Sequence, residues 1–157
     1  MAVDIRNLDI GTLCYLVGQG FNPEVLDRLR SEGFADVKVS FGYVVQHLLD
    51  GQKTVTQLSV CMGVTQQAAS KRVREMLNSG VLEIVPGKDR RESRVALSSL
   101  GCTIVARTRA IRERLAIELI ADATAEELQV TRHVLLTAIG RLQMNQAVEQ
   151  RKIQEHD

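Results

Sequence analysis

The sequence predicts a mainly α-helical protein that carries one small antiparallel β-hairpin. Over most of the 157 residues, apolar side chains recur every three to four positions, which is the spacing of one helix face. Two short β-rich runs, at residues 81–85 and 94–97, are separated by Pro86, Gly87 and a charged segment, as in two strands joined by a turn. Aromatic residues make up only 3% of the chain, so we expect a core of Leu, Val, Ile and Ala.

The N-terminal region is predicted to hold two short helices with a break between them. The first covers residues 9–18, and Gly20 lies in the break that follows. Asn22 is a preferred N-cap residue and Pro23 a preferred first helical residue, so a second helix is expected to restart there. A further helix is predicted over residues 37–50, which carry regularly spaced apolar side chains.

Residues 54–78 are predicted to form two helices joined by a tight turn at Gly63. Thr54 and Thr65 are suited to cap the first and the second helix. The second helix has a basic, amide-rich face opposite an apolar one, which consists of Ala69, Val73, Met76 and Leu77. A helix of this kind, entered through a glycine turn from another short helix, is typical of the recognition helix in a helix-turn-helix.

The exposed side chains of these two helices favour double-stranded DNA as the partner. Glutamine amides can form paired hydrogen bonds with adenine edges, and Lys or Arg can reach guanine or phosphate. A threonine hydroxyl at a helix N-terminus can contact a phosphate. The helical residues expected at the DNA are Thr54, Thr65, Gln66, Gln67, Ser70, Lys71, Arg72 and Arg74.

The tip of the β-hairpin is expected to be a second DNA contact, because positive charge is concentrated there. Residues 64–94 hold seven basic and four acidic residues, whereas the whole chain has a formal net charge of only +1. Cationic contacts to phosphate release counterions, and an Arg at a narrow tip can enter the minor groove. The alternative is a solvated turn whose charges serve solubility. The hairpin residues assigned to DNA binding are Lys88, Asp89, Arg90, Arg91 and Arg94.

Two long helices are predicted after Gly101, the first over residues 102–121 and the second from Thr124 onward. Thr124 and Glu127 have the spacing of a capping box. The last helix has little of its own domain to pack against, so pairing with a second copy is expected, with an intramolecular helical hairpin as the alternative. Its apolar seam consists of Leu128, Thr131, Leu135, Ala138 and Leu142.

These elements predict a winged helix-turn-helix joined to a helical dimerisation region. The polar residues after Leu142 are expected to fray. The predicted organisation is an N-terminal helical dimerisation segment at 1–36, a winged helix-turn-helix DNA-binding domain at 37–101, a C-terminal helical dimerisation region at 102–148 and a polar tail at 149–157.

The hairpin and the helix after it resemble the signature of the MarR family of bacterial winged-helix regulators. Asp89 and Arg91 match its Asp-x-Arg at the wing tip, and Leu97 and Gly101 match its Leu-Thr-x-x-Gly, with Ser98 in place of the usual Thr. Upstream, VTQQAASKRVREMLNSGVLE resembles the recognition helix of the family. The resemblance covers roughly residues 34–142.

This resemblance implies a homodimeric repressor that reads a near-palindromic DNA operator and is released by a small ligand or an oxidant. It also implies that Arg91 enters the minor groove and that Asp89 holds it by a charge-assisted hydrogen bond. From the residues alone, Asp89 could equally be a turn former.

The resemblance implies a pocket for a small aromatic or phenolic effector between the DNA-binding lobe and the dimerisation helices. Candidate residues are Phe41, Tyr43, His47 and Arg107, although each has a structural role available. The segment LCYLV around Cys14 resembles the organic-hydroperoxide-sensing branch of the family. Cys14 is therefore a candidate redox thiol, and a buried structural cysteine is the alternative.

Other functional classes find little support in the sequence. No signal peptide or membrane-spanning run is present, the 3 cysteines form no CxxC pair, and the 3 histidines lack metal-ligand spacing. We therefore expect a cytoplasmic, nucleoid-associated protein with no metal and no cofactor. No nucleophile motif or phosphate-binding glycine loop indicates an enzyme. A winged-helix module that binds only proteins is the remaining competitor.

Overall fold

The computed structural model describes residues 4–87 and 93–150 as seven α-helices, one short 3-10 helix and a two-stranded sheet. It confirms the predicted fold class, mainly α with a small antiparallel hairpin. After the 3-10 turn at Ile5–Asn7, the elements are α1 (Ile10–Ser31), α2 (Phe41–Leu48), α3 (Val55–Met62), α4 (Gln66–Asn78), β1 (Leu82–Pro86), β2 (Ser93–Leu97), α5 (Ser99–Leu119), α6 (Ala125–Arg141) and α7 (Asn145–Glu149).

One hydrophobic core lies beneath α2, α3, α4 and the hairpin. Val44, Leu58, Met76 and Val81 are almost fully buried within it. The C-terminal half of α1 and the middle of α5 complete the core, because Leu29 and the α5 side chains Ile104, Ile111 and Leu115 are buried too. The core is mainly aliphatic, as the low aromatic content predicts, and it includes Phe41.

The hairpin is antiparallel and is anchored to the helices on one side. Leu82 pairs with Leu97, and Val85 pairs with Arg94. Before α3, the backbone of Lys53 forms two hydrogen bonds with Val95, at 3.1 and 2.9 Å. The inner edge of β2 is therefore fixed to the start of the helix-turn-helix.

The junction between the hairpin and α5 explains why a glycine stands at position 101. Ser98 is the N-cap of α5, since its Oγ accepts a hydrogen bond of 3.0 Å from the Gly101 amide and donates to the Gly80 carbonyl. A Cβ on Gly101 would clash with the carbonyl oxygen of Val81. Helix α5 therefore begins at Ser99, three residues earlier than predicted.

The predicted break in the first helix is wrong, because α1 runs unbroken through Gly18, Gly20 and Pro23. Pro23 lacks an N–H, so the helix loses one backbone hydrogen bond on an exposed face. Contacts from α5 offset that loss. The Arg112 guanidinium lies over the Phe21 ring at 4.7 Å and donates to Asn22 Oδ1 at 3.1 Å. Asn22 therefore bonds to α5 and does not cap a new helix.

Two further boundaries differ from the prediction. Helix α2 begins at Phe41, not at residue 37, since the preceding residues form a turn closed by the Phe41 amide and the Lys38 carbonyl at 3.0 Å. Residues after Leu142 were expected to fray, yet α7 forms there. Gln143 has a left-handed φ of 56°, which ends α6 and turns the chain into α7. Residues 151–157 of the predicted tail lie outside the described residues.

The first half of α1 and all of α6 expose apolar side chains. No side chain of α6, which the structure describes in full, is buried. Among the helices of residues 4–87 and 93–150, none is long and apolar enough to cross a bilayer. We use the name α6 apolar face for the exposed residues Val130, Val134, Leu135 and the C-cap residue Leu142, which share one side of the helix, whereas the exposed Leu136 lies on the opposite side.

Candidate nucleic-acid interface

Local hydrogen bonds fix the orientation of α3 and α4, as the sequence predicts. Thr54 and Gln57 form a reciprocal capping box at the start of α3. Gly63 ends α3 with a left-handed φ of 67°, which a residue with a Cβ adopts at a cost. Thr65 then caps α4, because its Oγ1 accepts a hydrogen bond from the Ala68 amide at 3.1 Å.

Helix α4 has one buried face and one exposed face. Ala69, Val73 and Met76 are buried in the core, and Leu77 is half-buried at its margin. The opposite side is a shallow depression, which we call the α4 outer face. Among the described residues none of those lining it is acidic, and they are Thr65, Gln67, Ala68, Ser70, Lys71 and Arg74.

The α4 outer face contains five of the residues predicted to contact DNA, while three others lie outside it. Gln66 turns toward α3, where its Nε2 donates to Thr56 Oγ1 at 3.3 Å. Arg72 is half-buried beside the depression. Thr54 is half-buried too, and its hydroxyl oxygen accepts the capping hydrogen bond of α3.

The hairpin part of the predicted interface is described only in part. Arg94 is half-buried on β2, opposite Val85 of β1. The predicted contacts Lys88, Asp89, Arg90 and Arg91 belong to segment 88–92, which lies outside the described residues.

A second concave region lies between α1, α2 and α5, and we call it the α1–α2–α5 cavity. Its volume is about 470 Å³, and most of its walls are apolar. Phe41 and Tyr43, two of the candidate effector residues, line it. His47 is buried on α2 and is not among the lining residues, and Arg107 lies outside, where its Nε is 2.8 Å from Glu32 Oε2.

Three cations that were not predicted as site residues also line this cavity: Lys38, Arg109 and Arg112. Arg112 could have been found by helical spacing, because it follows the lining residues Val105 and Thr108 by seven and four positions on α5. Lys38 gave no such signal, since it lies in the turn before α2.

Exposed ion pairs connect α1 to α5 beside the cavity. Arg28 on α1 is 2.6 Å from Glu118 on α5 and 2.7 Å from Glu24 on its own helix. The hydrogen bond from Arg28 lowers the pKa of Glu118 below its ordinary value, and the hydrogen bond from Arg107 lowers the pKa of Glu32 in the same way.

The three cysteines show no metal site and no pairing. Cys14 is exposed on α1 in the single chain. The hydroxyl of Tyr15 accepts a hydrogen bond from Gln19, and neither Cys14 nor Tyr15 lines the cavity. Within the described part of the chain, no three His, Cys, Asp or Glu side chains form a metal-binding group. A redox role for Cys14 stays a prediction.

The fold is that of MarR-type winged-helix structures. The YusO protein from Bacillus subtilis is 19% identical, with 89% of this chain and 99% of that chain covered and a TM-score of 0.70. The reduced form of MarR from E. coli is 20% identical, with coverage of 84% and 97% and a TM-score of 0.65. A MarR variant from E. coli complexed with operator DNA is 20% identical, with coverage of 87% and 99% and a TM-score of 0.61. No protein-family model and no curated protein sequence matches the chain.

Proposed function

We propose that this chain is a homodimeric, sequence-specific regulator that binds double-stranded DNA. The observation that carries the proposal is the α4 outer face. Its amide, hydroxyl and cationic groups lie together on the exposed side of a helix whose other side is fixed in the core. The shared fold with a MarR structure that was solved with operator DNA supports the same conclusion.

The α4 outer face supplies both kinds of contact that sequence-specific binding needs. The major groove admits an α-helix, and the amide of Gln67 can form two hydrogen bonds with an adenine edge. Lys71 can reach guanine or phosphate. Arg74, one turn further along, is suited to a phosphate that positions the helix. The wing, with Arg91 at its predicted tip, would enter the adjacent minor groove.

A homodimer accounts for the exposed apolar side chains of α1 and α6. The α6 apolar face has no partner among the described residues of its own chain, since no α6 side chain is buried. Tyr15, Leu16 and Val17 are exposed on α1. A two-fold pairing of these helices would bury both surfaces and place the two α4 helices about one turn of DNA apart.

We further propose that the regulator is a repressor and that the α1–α2–α5 cavity holds the small effector that releases it. The cavity lies between α1 and α5, which would form part of the dimer, and α2, which packs in the DNA-binding lobe. Its volume falls within the range of small-molecule sites, and its mixture of apolar walls and a few polar groups is typical of them.

Selection of bound sequences from a random duplex pool, at about 0.15 M salt, tests the proposal. We expect an inverted repeat whose half-sites lie about one helical turn apart. If no sequence is enriched and binding vanishes as salt rises, only nonspecific charge attraction remains. A winged-helix module that binds proteins would then be the better account.

A further inference from the structure

Lys38 lies in the turn between α1 and α2 and belongs to two surfaces at once. It lines the α1–α2–α5 cavity, and its Nζ is 3.1 Å from Glu75 Oε2 on α4. Glu75 lies on the helix that carries the α4 outer face. This ion pair therefore connects the proposed effector cavity to the proposed DNA-reading helix.

The charges of the cavity favour an anion as its occupant. Lys38, Arg109 and Arg112 line it, and among the described residues none of those lining it is an Asp or a Glu. Arg112 already donates a hydrogen bond to Asn22 and lies over the Phe21 ring. An apolar carboxylate would therefore place its charge near Lys38 and Arg109 while its hydrocarbon part contacts the apolar walls.

An anion in the cavity can replace Glu75 as the ionic partner of Lys38. Both side chains are partly exposed, at 60% and 38%, and such pairs contribute little to stability. Once released, Glu75 has cations of its own helix within reach, because Lys71 precedes it by four positions. A Glu75–Lys71 pair would neutralise a cation of the α4 outer face.

We infer that an apolar carboxylate in the cavity takes Lys38 from Glu75, and that the freed Glu75 pairs with Lys71 and weakens DNA binding. This inference rests on the proposed function and names its route of regulation. The direction is fixed by charge, since each α4 helix would lose one positive group toward phosphate. The expected effect is about three- to fivefold in DNA affinity, the size of one surface ion pair per protomer.

The test uses 1-naphthoate as the probe and its neutral analogue 1-naphthamide as the matched control. Carbon-detected NMR reports the side-chain carboxylate of Glu75 without any DNA. Fluorescence anisotropy reports affinity for the duplex recovered from the random pool. In the wild type, naphthoate is expected to shift the Glu75 carboxylate signal and to lower DNA affinity, whereas naphthamide does neither.

Three variants test whether exchange of the Lys38–Glu75 ion pair, and not ligand binding alone, weakens DNA binding. Glu75→Gln leaves the cavity cations in place, so naphthoate should still bind by calorimetry but no longer change DNA affinity. Lys38→Gln frees Glu75 permanently, so DNA affinity should start about three- to fivefold lower, with no further effect of naphthoate. Arg30→Gln removes an exposed pair with Asp27 that touches neither the cavity nor α4, and it should behave as the wild type.

Failure of the route and failure of the proposed function give different results. A Glu75→Gln variant that keeps the full naphthoate response overturns the route while DNA binding stands. The route is also overturned if the Glu75 carboxylate signal of the wild type does not shift when naphthoate is added. If the wild type enriches no duplex, the proposed function fails, and the NMR arm still decides whether a carboxylate displaces Lys38.

Discussion

Helices α4 and α6 both expose side chains, but their exposed surfaces differ in chemistry. The α4 outer face is polar and basic and lies opposite a buried apolar stripe. The α6 apolar face is hydrocarbon, and none of the α6 side chains is buried. The first surface suits a hydrated, anionic partner, and the second suits another apolar surface. Exposure alone therefore does not identify a partner, whereas the chemistry of the exposed groups does.

The largest effect is expected from a charge in the α6 apolar face. Leu135→Asp would place an unpaired carboxylate in the proposed dimer interface, and we expect the dimer dissociation constant to rise by about 100-fold or more. DNA affinity would fall with it, because two half-sites would no longer be bound together. Sedimentation equilibrium measures the first change and anisotropy the second.

Gln129→Asp is the matched control, since it adds the same charge at an exposed polar position of α6. It should leave the dimer intact. A Leu135→Asp protein that remains dimeric would remove α6 from the interface.

A charge removed from α4 is expected to have the next largest effect. Lys71→Gln should lower DNA affinity roughly tenfold. It should also reduce the slope of the logarithm of the DNA association constant against the logarithm of the salt concentration by about 2, one unit for each protomer. Dimerisation should be unchanged. Anisotropy titrations across a salt series measure both quantities.

Arg132→Gln removes the same charge from the exposed surface of α6. Its affinity and salt slope should match the wild type. Equal losses in the two variants would mean that net charge, and not the α4 outer face, drives binding.

Substitutions of the helix caps are expected to have smaller effects, and each should change a different measured quantity. Thr65→Ala should lower the free energy of unfolding by about 1 kcal/mol, because α4 belongs to the core of the domain. Thr124→Ala removes the capping box of α6, so its loss should appear mainly as a dimer dissociation constant raised about fivefold.

Urea unfolding and sedimentation distinguish these outcomes. Thr→Ser at each position keeps the capping oxygen and should restore most of the loss. If both alanine variants change the same quantity, the two helices do not have the separate roles proposed for them.

The smallest effect concerns the ion pairs between α1 and α5. Glu118 and Glu32 have pKa values below the ordinary 4.5 because Arg28 and Arg107 donate hydrogen bonds to them. Their contribution to stability is therefore present above pH 4.5 and is lost as pH falls through the lowered folded-state pKa. Glu118→Gln should flatten the decline of stability as the pH falls below 4.5.

Urea unfolding at a series of pH values measures this difference. Because both partners are exposed, 1 M salt should shrink it. An identical acid profile for the variant and the wild type would show that Arg28 does not stabilise the charged form of Glu118.

Features that depend on neighbouring residues could be predicted from the sequence. The caps at Thr54, Thr65 and Thr124 each bond to an amide three positions ahead, so their residue types and spacing are sufficient. The apolar stripe of α4 follows from helical period in the same way. The five predicted DNA-contact residues that lie together on the α4 outer face are those whose position follows from that period.

Features that depend on distant contacts could not be predicted. Helix α1 is contacted at Asn22, beside Pro23, by Arg112, which lies 90 positions later. The cations of the α1–α2–α5 cavity come from a turn and from α5, and only packing brings them together. The Lys38–Glu75 pair spans 37 positions with no periodic signal.

The most direct measurement is a random-pool selection with the wild type and with Gln67→Ala, side by side. The wild type should enrich an inverted repeat, and the variant should lose base preference at one position in each half-site, symmetrically. Discrimination at that position should fall by about 1–3 kcal/mol, the value of one bidentate amide contact. Two identical motifs would contradict a reading role for the α4 outer face, and no motif from the wild type would contradict sequence-specific binding altogether.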